Sequence, residues 1–317
     1  MRSVLLSAML AAGCAPGSEP DALPEVPYLV VLGTAQDGGL PQIGCAKACC
    51  VAAREDPSLR RLVTSLLLVD PRDGRRWLFD ATPDLGEQVE RARGHGGPPD
   101  DARGRPALFD GIFLTHAHLG HYTGLLQLGR EAYGSARITL VGTSRMTTFL
   151  GANGPWSLLF DGGYAEPEVL RPGETRELAP DLSVTALSVP HRAEFSDAVA
   201  FLVRGPEKAA LYLPDIDKWE RWDRPLEDVL GQVDLALVDG TFFGPDEIPG
   251  REMAEIPHPF IVETLERIEP LPAEERDKVW FTHLNHSNPA ANPESEAAAA
   301  VRRAGAHVLA EGALFRL

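Results

Sequence analysis

Positive charge is scarce in this chain of 317 residues: 30 lysines and arginines stand against 46 aspartates and glutamates, a formal net charge of −16. That deficit excludes a general binder of nucleic-acid backbones, which works through basic stripes, so no nucleic-acid partner is expected. It leaves room for a small anionic substrate held at a cation. Long apolar runs are missing too, and residues 4–12 are too few to cross a bilayer as a mature helix. Cysteine is limited to four residues, three of them crowded at Cys45, Cys49 and Cys50. Apolar material as a whole is not lacking. At 44% hydrophobic residues the chain can bury a sizeable core, which excludes global disorder.

Met1-Arg2, the short apolar stretch and Gly13-Cys14 read as a charged segment, a hydrophobic segment and a lipidation site. Residues 1–14 are expected to form a lipoprotein signal peptide. Cys14 would then carry the lipid that anchors an exported protein at the membrane, in the periplasm or on the cell surface. An ordinary secretory signal and a misassigned start codon are the alternatives. Residues 15–26, rich in Pro, Ser and acidic side chains, read as a flexible tether, leaving 27–317 as one domain.

Strand patterns recur along that domain, at 28–32, 111–114, 138–141, 184–189, 198–203, 209–213, 233–238, 279–282 and 307–310. Residues 65–69 and 76–79 flank Pro71-Arg-Asp-Gly74, a hairpin signature. Helices are expected over 122–133, from 144 to 150, from near Asp84, and over 294–304. An exposed loop is expected at 94–105, and at 151–163 a loop carrying Trp156 and Phe160 that walls a pocket. The glycine-rich stretch 33–39 has no Lys-Ser/Thr ending, so it is not a phosphate loop. Its glycines serve close backbone approach. This order predicts an α/β (α+β) sandwich of two mixed sheets covered by helices, with its site at strand ends.

Thr115-His116-Ala117-His118-Leu119-Gly120-His121 places three of the nine histidines where a strand gives way to a helix. Three imidazoles there can converge on one point beyond the sheet edge, and imidazole is the commonest side-chain ligand of zinc and suits iron. Three loop histidines that never meet are the plain alternative. His191, Asp215, Asp239 and His283 each follow an apolar strand. Alone, each fits a cap or a hydrogen-bonded structural residue. Together they supply what a catalytic cation needs, and a bridging carboxylate such as Asp215 can hold two ions about 3.5–4 Å apart. Cys45, Cys49 and Cys50 fit a small zinc knuckle if a fourth ligand arrives from elsewhere, or a disulfide with one thiol left over.

His116-Ala-His118-Leu-Gly-His121, followed by His191, Asp215 and His283, resembles the metallo-β-lactamase superfamily, whose fold is an αββα sandwich and whose first motif is His-x-His-x-Asp-His. The resemblance implies one or two zinc ions, with iron as the alternative. His116, His118 and His191 would hold the first, Asp215 would bridge, and His121 and His283 would hold the second. Gly120 stands where the motif has aspartate, so the second position has one ligand fewer. A closer resemblance spans 28–317 and is to the coenzyme PQQ synthesis protein B family. It rests on Gly33-Thr-Ala-Gln-Asp-Gly-Gly-Leu-Pro-Gln42, the cysteines, Phe79-Asp-Ala-Thr-Pro-Asp84, Thr241-Phe-Phe243 and His283-Leu-Asn-His-Ser-Asn-Pro289. That family implies a metal-dependent oxidative step, yet its biosynthetic members typically lack the first two histidines that are present here.

His258, in Ile256-Pro-His-Pro259, resembles the substrate-facing histidine of related phosphodiesterases and would donate a proton to a leaving group; an ordinary loop histidine is the alternative. His286 would complete the cysteine knuckle or hydrogen-bond across its loop. Asp37 or Asp84 is expected to orient ligands without touching the cation. The activity expected is hydrolysis of an ester- or phosphoester-type bond in a small molecule, with Asp215 and His258 catalytic. An iron-dependent oxygenase and a non-catalytic metal-binding lipoprotein are the alternatives.

Overall fold

A computed structural model describes residues 23–99, 102–250, 252–253 and 256–317. Cys14, the expected signal peptide and most of the expected tether lie outside them. Six strands follow one another first: β1 Tyr28–Gly33, β2 Ser65–Asp70, β3 Arg75–Phe79, β4 Gly111–Phe113, β5 Ile138–Gly142 and β6 Ala165–Val169. Eight more complete the set: β7 Thr175–Ala179, β8 Leu182–Ser188, β9 Val199–Arg204, β10 Ala209–Leu213, β11 Leu235–Asp239, β12 Val279–Thr282, β13 His307–Val308 and β14 Leu314–Arg316. They form two seven-stranded mixed sheets, ordered β14-β1-β2-β3-β4-β5-β6 and β13-β12-β11-β10-β9-β8-β7.

Strands such as β1 and β2 are buried along their whole length because both sheet faces are covered. Alternation then sorts their side chains between two cores. Leu29, Val31, Leu66, Leu68, Phe79 and Phe113 face inward and meet Val184, Phe201, Val203, Tyr212 and Leu237 of the second sheet. Tyr28, Val30, Leu32, Leu67 and Val69 face outward, under helices of the first half. On the far side Leu211, Leu213, Val238 and Phe281 pack beneath Trp219, Leu226, Ile261 and Val301. The result is the expected αββα sandwich. Its middle is aromatic, with Phe79 at 5.1 Å from Phe113, 5.5 Å from Phe201 and 5.9 Å from Tyr212 between ring centroids.

Strand direction positions the site. β3 and β4 run parallel, as do β10, β11 and β12, while β8 is antiparallel to β9, which is antiparallel to β10. The carboxyl ends of β8, β10, β11 and β12 therefore share one rim of the second sheet. Asp80 after β3 and the histidine cluster after β4 share one rim of the first.

Two expected elements differ. In place of a helix over 122–133 the chain makes a short turn of helix, Leu119–Tyr122, and then a 3-10 helix, Thr123–Leu128. Gly124 is the reason. Its N–H donates to Ala81 O at 2.9 Å, and a Cβ there would sit 2.0 Å from Thr82 O, so the chain is pressed onto the 81–82 backbone. In place of the open loop at 151–163, helices Ser144–Ala152 and Ser157–Asp161 fill most of the segment. Trp156 and Phe160 pack against the outer core of the first sheet.

Gly33 makes the close approach expected of the glycine-rich stretch, since a Cβ would lie 2.0 Å from Val63 O and 2.8 Å from Leu62 O. Both neighbours are backbone atoms and cannot yield cheaply. Gly33→Ala is expected to destabilise the protein by about 1–3 kcal/mol, read from urea unfolding. An unchanged midpoint would refute the close approach.

Candidate metal centre

Asp80 anchors the site from beneath. It leaves β3 with a φ of +64°, a left-handed conformation that costs a non-glycine residue roughly 1–2 kcal/mol. That twist turns a fully buried carboxylate under the histidine cluster. Oδ1 accepts the Thr115 N–H at 2.9 Å, and Oδ2 accepts from His121 Nδ1 at 2.8 Å and the Tyr212 hydroxyl at 3.2 Å. Thr115 Oγ1 donates to the same carboxylate at 3.0 Å. His283, leaving β12, is also left-handed, at φ +58°.

The rings gather as two sets around one carboxylate. In the first, His116 Nε2 lies 2.8 Å from His118 Nδ1, which lies 3.2 Å from His191 Nε2. The far nitrogens of two of these rings are engaged: His116 Nδ1 with Thr115 Oγ1 at 3.0 Å, and His118 Nε2 with Glu194 at 3.1 Å. Burial holds His116 well below the usual imidazole range and His191 down at about 4, so both are neutral and able to ligate. In the second set, His121 Nε2 and His283 Nε2 lie 2.9 and 3.1 Å from Asp215 Oδ2. None of these three buried atoms has a partner in hydrogen-bond geometry.

Asp215 also lies 4.0 Å from His116, 3.6 Å from His191 and 3.7 Å from His258. Burial opposes its charge, but the imidazoles of His283 and His121 hold it well below the usual carboxylate range. Burial likewise opposes charge on His121, yet Asp80 and Asp215 raise its pKa well above the usual value. Buried nitrogens without hydrogen-bond partners, converging on one carboxylate, suit a cation position. The chemistry of this set, imidazole nitrogen with carboxylate oxygen, fits zinc and iron alike.

His258 is buried at the edge of this cluster. Its Nδ1 lies 2.7 Å from Asp239 Oδ2, and against the effect of burial that carboxylate raises its pKa. Asp239 itself accepts from Thr241 N–H and O–H at 2.9 and 2.7 Å and from Ile216 N–H at 3.1 Å, so it is a hydrogen-bond hub. Asp84 is not brought here; it accepts the Val63 N–H at 2.8 Å. Elsewhere Cys45, Cys50 and His286 place ligand atoms within 4.8 Å of one another. Cys49 is outside that group, with its Sγ 4.0 Å from that of Cys50, and all three thiols are free.

Sequence reasoning passed over Asp80, Glu194, Thr115 and Thr241. For Asp80 a signal was there, since it follows β3 directly, as Asp215 follows β10.

A family model described as the Beta-lactamase superfamily domain matches residues 75–309. Coenzyme PQQ synthesis protein B of Methylobacterium radiotolerans is 28% identical over 284 residues, covering 82% of this chain and 90% of that protein. Zn(2+)-bound PqqB from Methylobacterium extorquens superposes with a TM-score of 0.75 at 24% identity, covering 92% of this chain and 100% of that one. A diphosphatase from the PhnP family superposes at 0.64 with 22% identity, covering 92% and 97%. These two structural likenesses speak to the fold.

Proposed function

The chain belongs to the β-lactamase superfamily, and from that premise we propose that it is a metal-dependent hydrolase of an ester- or phosphoester-type bond in a small molecule. The observation that carries this is Asp215, a buried carboxylate between two sets of imidazoles, which His121 Nε2 and His283 Nε2 face without hydrogen-bond partners. His116, His118 and His191 would hold one zinc ion, and His121 and His283 a second, with Asp215 between them. When bound, a divalent cation there lowers the pKa of a coordinated water toward ~7 and polarises the bond under attack.

The chain's own residues do the rest. Glu194 and Asp80 hold the rings of His118 and His121 in place. His258, whose pKa Asp239 raises against the effect of burial, is placed to give a proton to the leaving group. Anchoring through Cys14 belongs to the same reading and rests on residues 1–14 alone.

Zinc-loaded protein is expected to turn over a phosphodiester in a panel that also holds a carboxylate ester, a thioester and a lactam. His118→Ala should lose both metal, by inductively coupled plasma mass spectrometry, and turnover. Unchanged metal content in that variant sinks the ligand assignment. No turnover of any panel member by the wild type leaves a non-catalytic metal binder. Similarity to PQQ synthesis protein B favours a second reading, an iron-dependent oxygenase. Oxygen consumption by anaerobically purified, iron-loaded protein would select it.

A further inference from the structure

We propose that Asp37 is a metal ligand, delivered by the glycine-rich loop after β1 into the space that a side chain at residue 120 would fill. The proposal rests on the reading of this centre as a metal site and adds a carboxylate of its own to the second cation position, beside the Asp215 that both positions share.

The space argument is direct. A Cβ on Gly120 would lie 2.1 Å from Asp37 Oδ1, 2.8 Å from its Cα and 3.0 Å from its Cγ. No side chain at 120 is compatible with Asp37 in this position, and the clash with the Asp37 backbone cannot be relieved by a rotamer change. Glycine at 120 and aspartate at 37 are thus one arrangement, in which the carboxylate comes from a different part of the chain.

Where that carboxylate points is equally specific. Asp37 Oδ1 accepts the Gly120 N–H at 3.1 Å and lies 3.6 Å from His121 Nε2. Asp37, His121 and His283 place one ligand atom each within 4.8 Å of one another. The two histidine atoms here are buried and lack partners, so they call for a ligand and not for another hydrogen bond. Asp80 does not compete, because it is spent on the opposite nitrogen of His121. The loop is held in register with the segment that carries His283: Leu284 N–H donates to Thr34 O at 2.8 Å, and Gln36 N–H to Leu284 O at 2.9 Å. One stretch of backbone pairing therefore positions Asp37 and His283 together. At 33% exposure Asp37 is the open side of the position, unlike the buried histidines.

The test is a zinc titration of the metal-free full chain against a chromophoric chelator, with bound metal counted by mass spectrometry. Wild type is expected to take two equivalents at the histidine centre, counted in a background where Cys45→Ser and Cys50→Ser remove the thiol group. Asp37→Asn keeps an acceptor for the Gly120 amide but loses the charge. Its second equivalent should weaken at least as much as when a ligand's supporting partner is lost, about 10–100-fold, while the first holds. Asp37→Ala should behave the same way. The double exchange Asp37→Gly with Gly120→Asp moves the carboxylate to the segment that carries His121 and should restore the second equivalent, which a merely structural Asp37 would not permit. An unchanged second affinity in Asp37→Asn and Asp37→Ala, or a wild type that takes only one equivalent, overturns the proposal. If His118→Ala meanwhile abolishes turnover, the hydrolase reading stands and only the role of Asp37 falls.

Discussion

Asp215→Asn is expected to lower kcat/KM by about 10³-fold or more and to strip most of the bound metal, the largest single effect in the protein. Five imidazoles lie within 4.0 Å of this carboxylate: His116, His121, His191, His258 and His283. Asparagine keeps the shape and removes the charge. It also places an NH2 group or a neutral oxygen against His121 Nε2 and His283 Nε2, where neither can bridge two cations. The metal-free variant should unfold more easily as well, by about 3–5 kcal/mol, because His121 is then a buried cation with half its compensation gone. Sign follows from the pKa directions. The Asp215 carboxylate is depressed in the fold, so its contribution is full above the unfolded value of about 3.9 and is lost as the pH falls further. Asp215→Asn should flatten that acid limb of the metal-free stability profile. Full metal content with turnover within about tenfold of wild type would remove Asp215 from the centre of the site.

Asp80→Ala should come second, although Asp80 touches no substrate. The change strands the Thr115 N–H and O–H, the His121 Nδ1–H and the Tyr212 hydroxyl in a dry interior, and a broken buried charged network costs about 3–5 kcal/mol. It also asks alanine to hold a φ of +64°, roughly 1–2 kcal/mol more. Metal affinity should fall about 10–100-fold, as it does when a ligating histidine loses its supporting carboxylate. Asp80→Asn separates the parts. Asparagine tolerates the left-handed conformation and keeps part of the network, so it should recover most of the folding stability and less of the affinity. Urea unfolding and zinc titration of both variants check this. Equal stability for the two would mean that the backbone twist and the acceptor count carry no weight.

Much of the site could be read from the chain because open α/β sheets put polar residues where strands end. His191, Asp215 and His283 each follow a strand pattern in the sequence. Parallel β10, β11 and β12 then deliver Asp215, Asp239 and His283 to one rim. The sandwich of two mixed sheets was readable from the order of strand and helix patterns, and its αββα layering from the resemblance of the histidine motif to the metallo-β-lactamase superfamily. Roles within the rim were harder. Asp239 follows the same pattern as Asp215 but spends its oxygens on Thr241, Ile216 and His258, and only coordinates separate a hub from a ligand. The pairing of Gly120 with Asp37 spans 83 residues and is steric, so no periodicity announces it. Local propensity misled at 122–133, where leucines at helical spacing overlie a backbone pressed onto residues 81–82.

The rim is also a seam. His116, His118 and His121 hang from the first sheet, whereas His191, Asp215 and His283 hang from the second, and beneath this cluster the inner faces of the sheets meet through apolar side chains such as Phe79 and Phe201. A cation seated there would clamp the halves of the molecule to each other like a rivet. Loading would then be felt in the cohesion of the whole sandwich as well as in its chemistry, because a ligand that binds only the assembled form resists its coming apart.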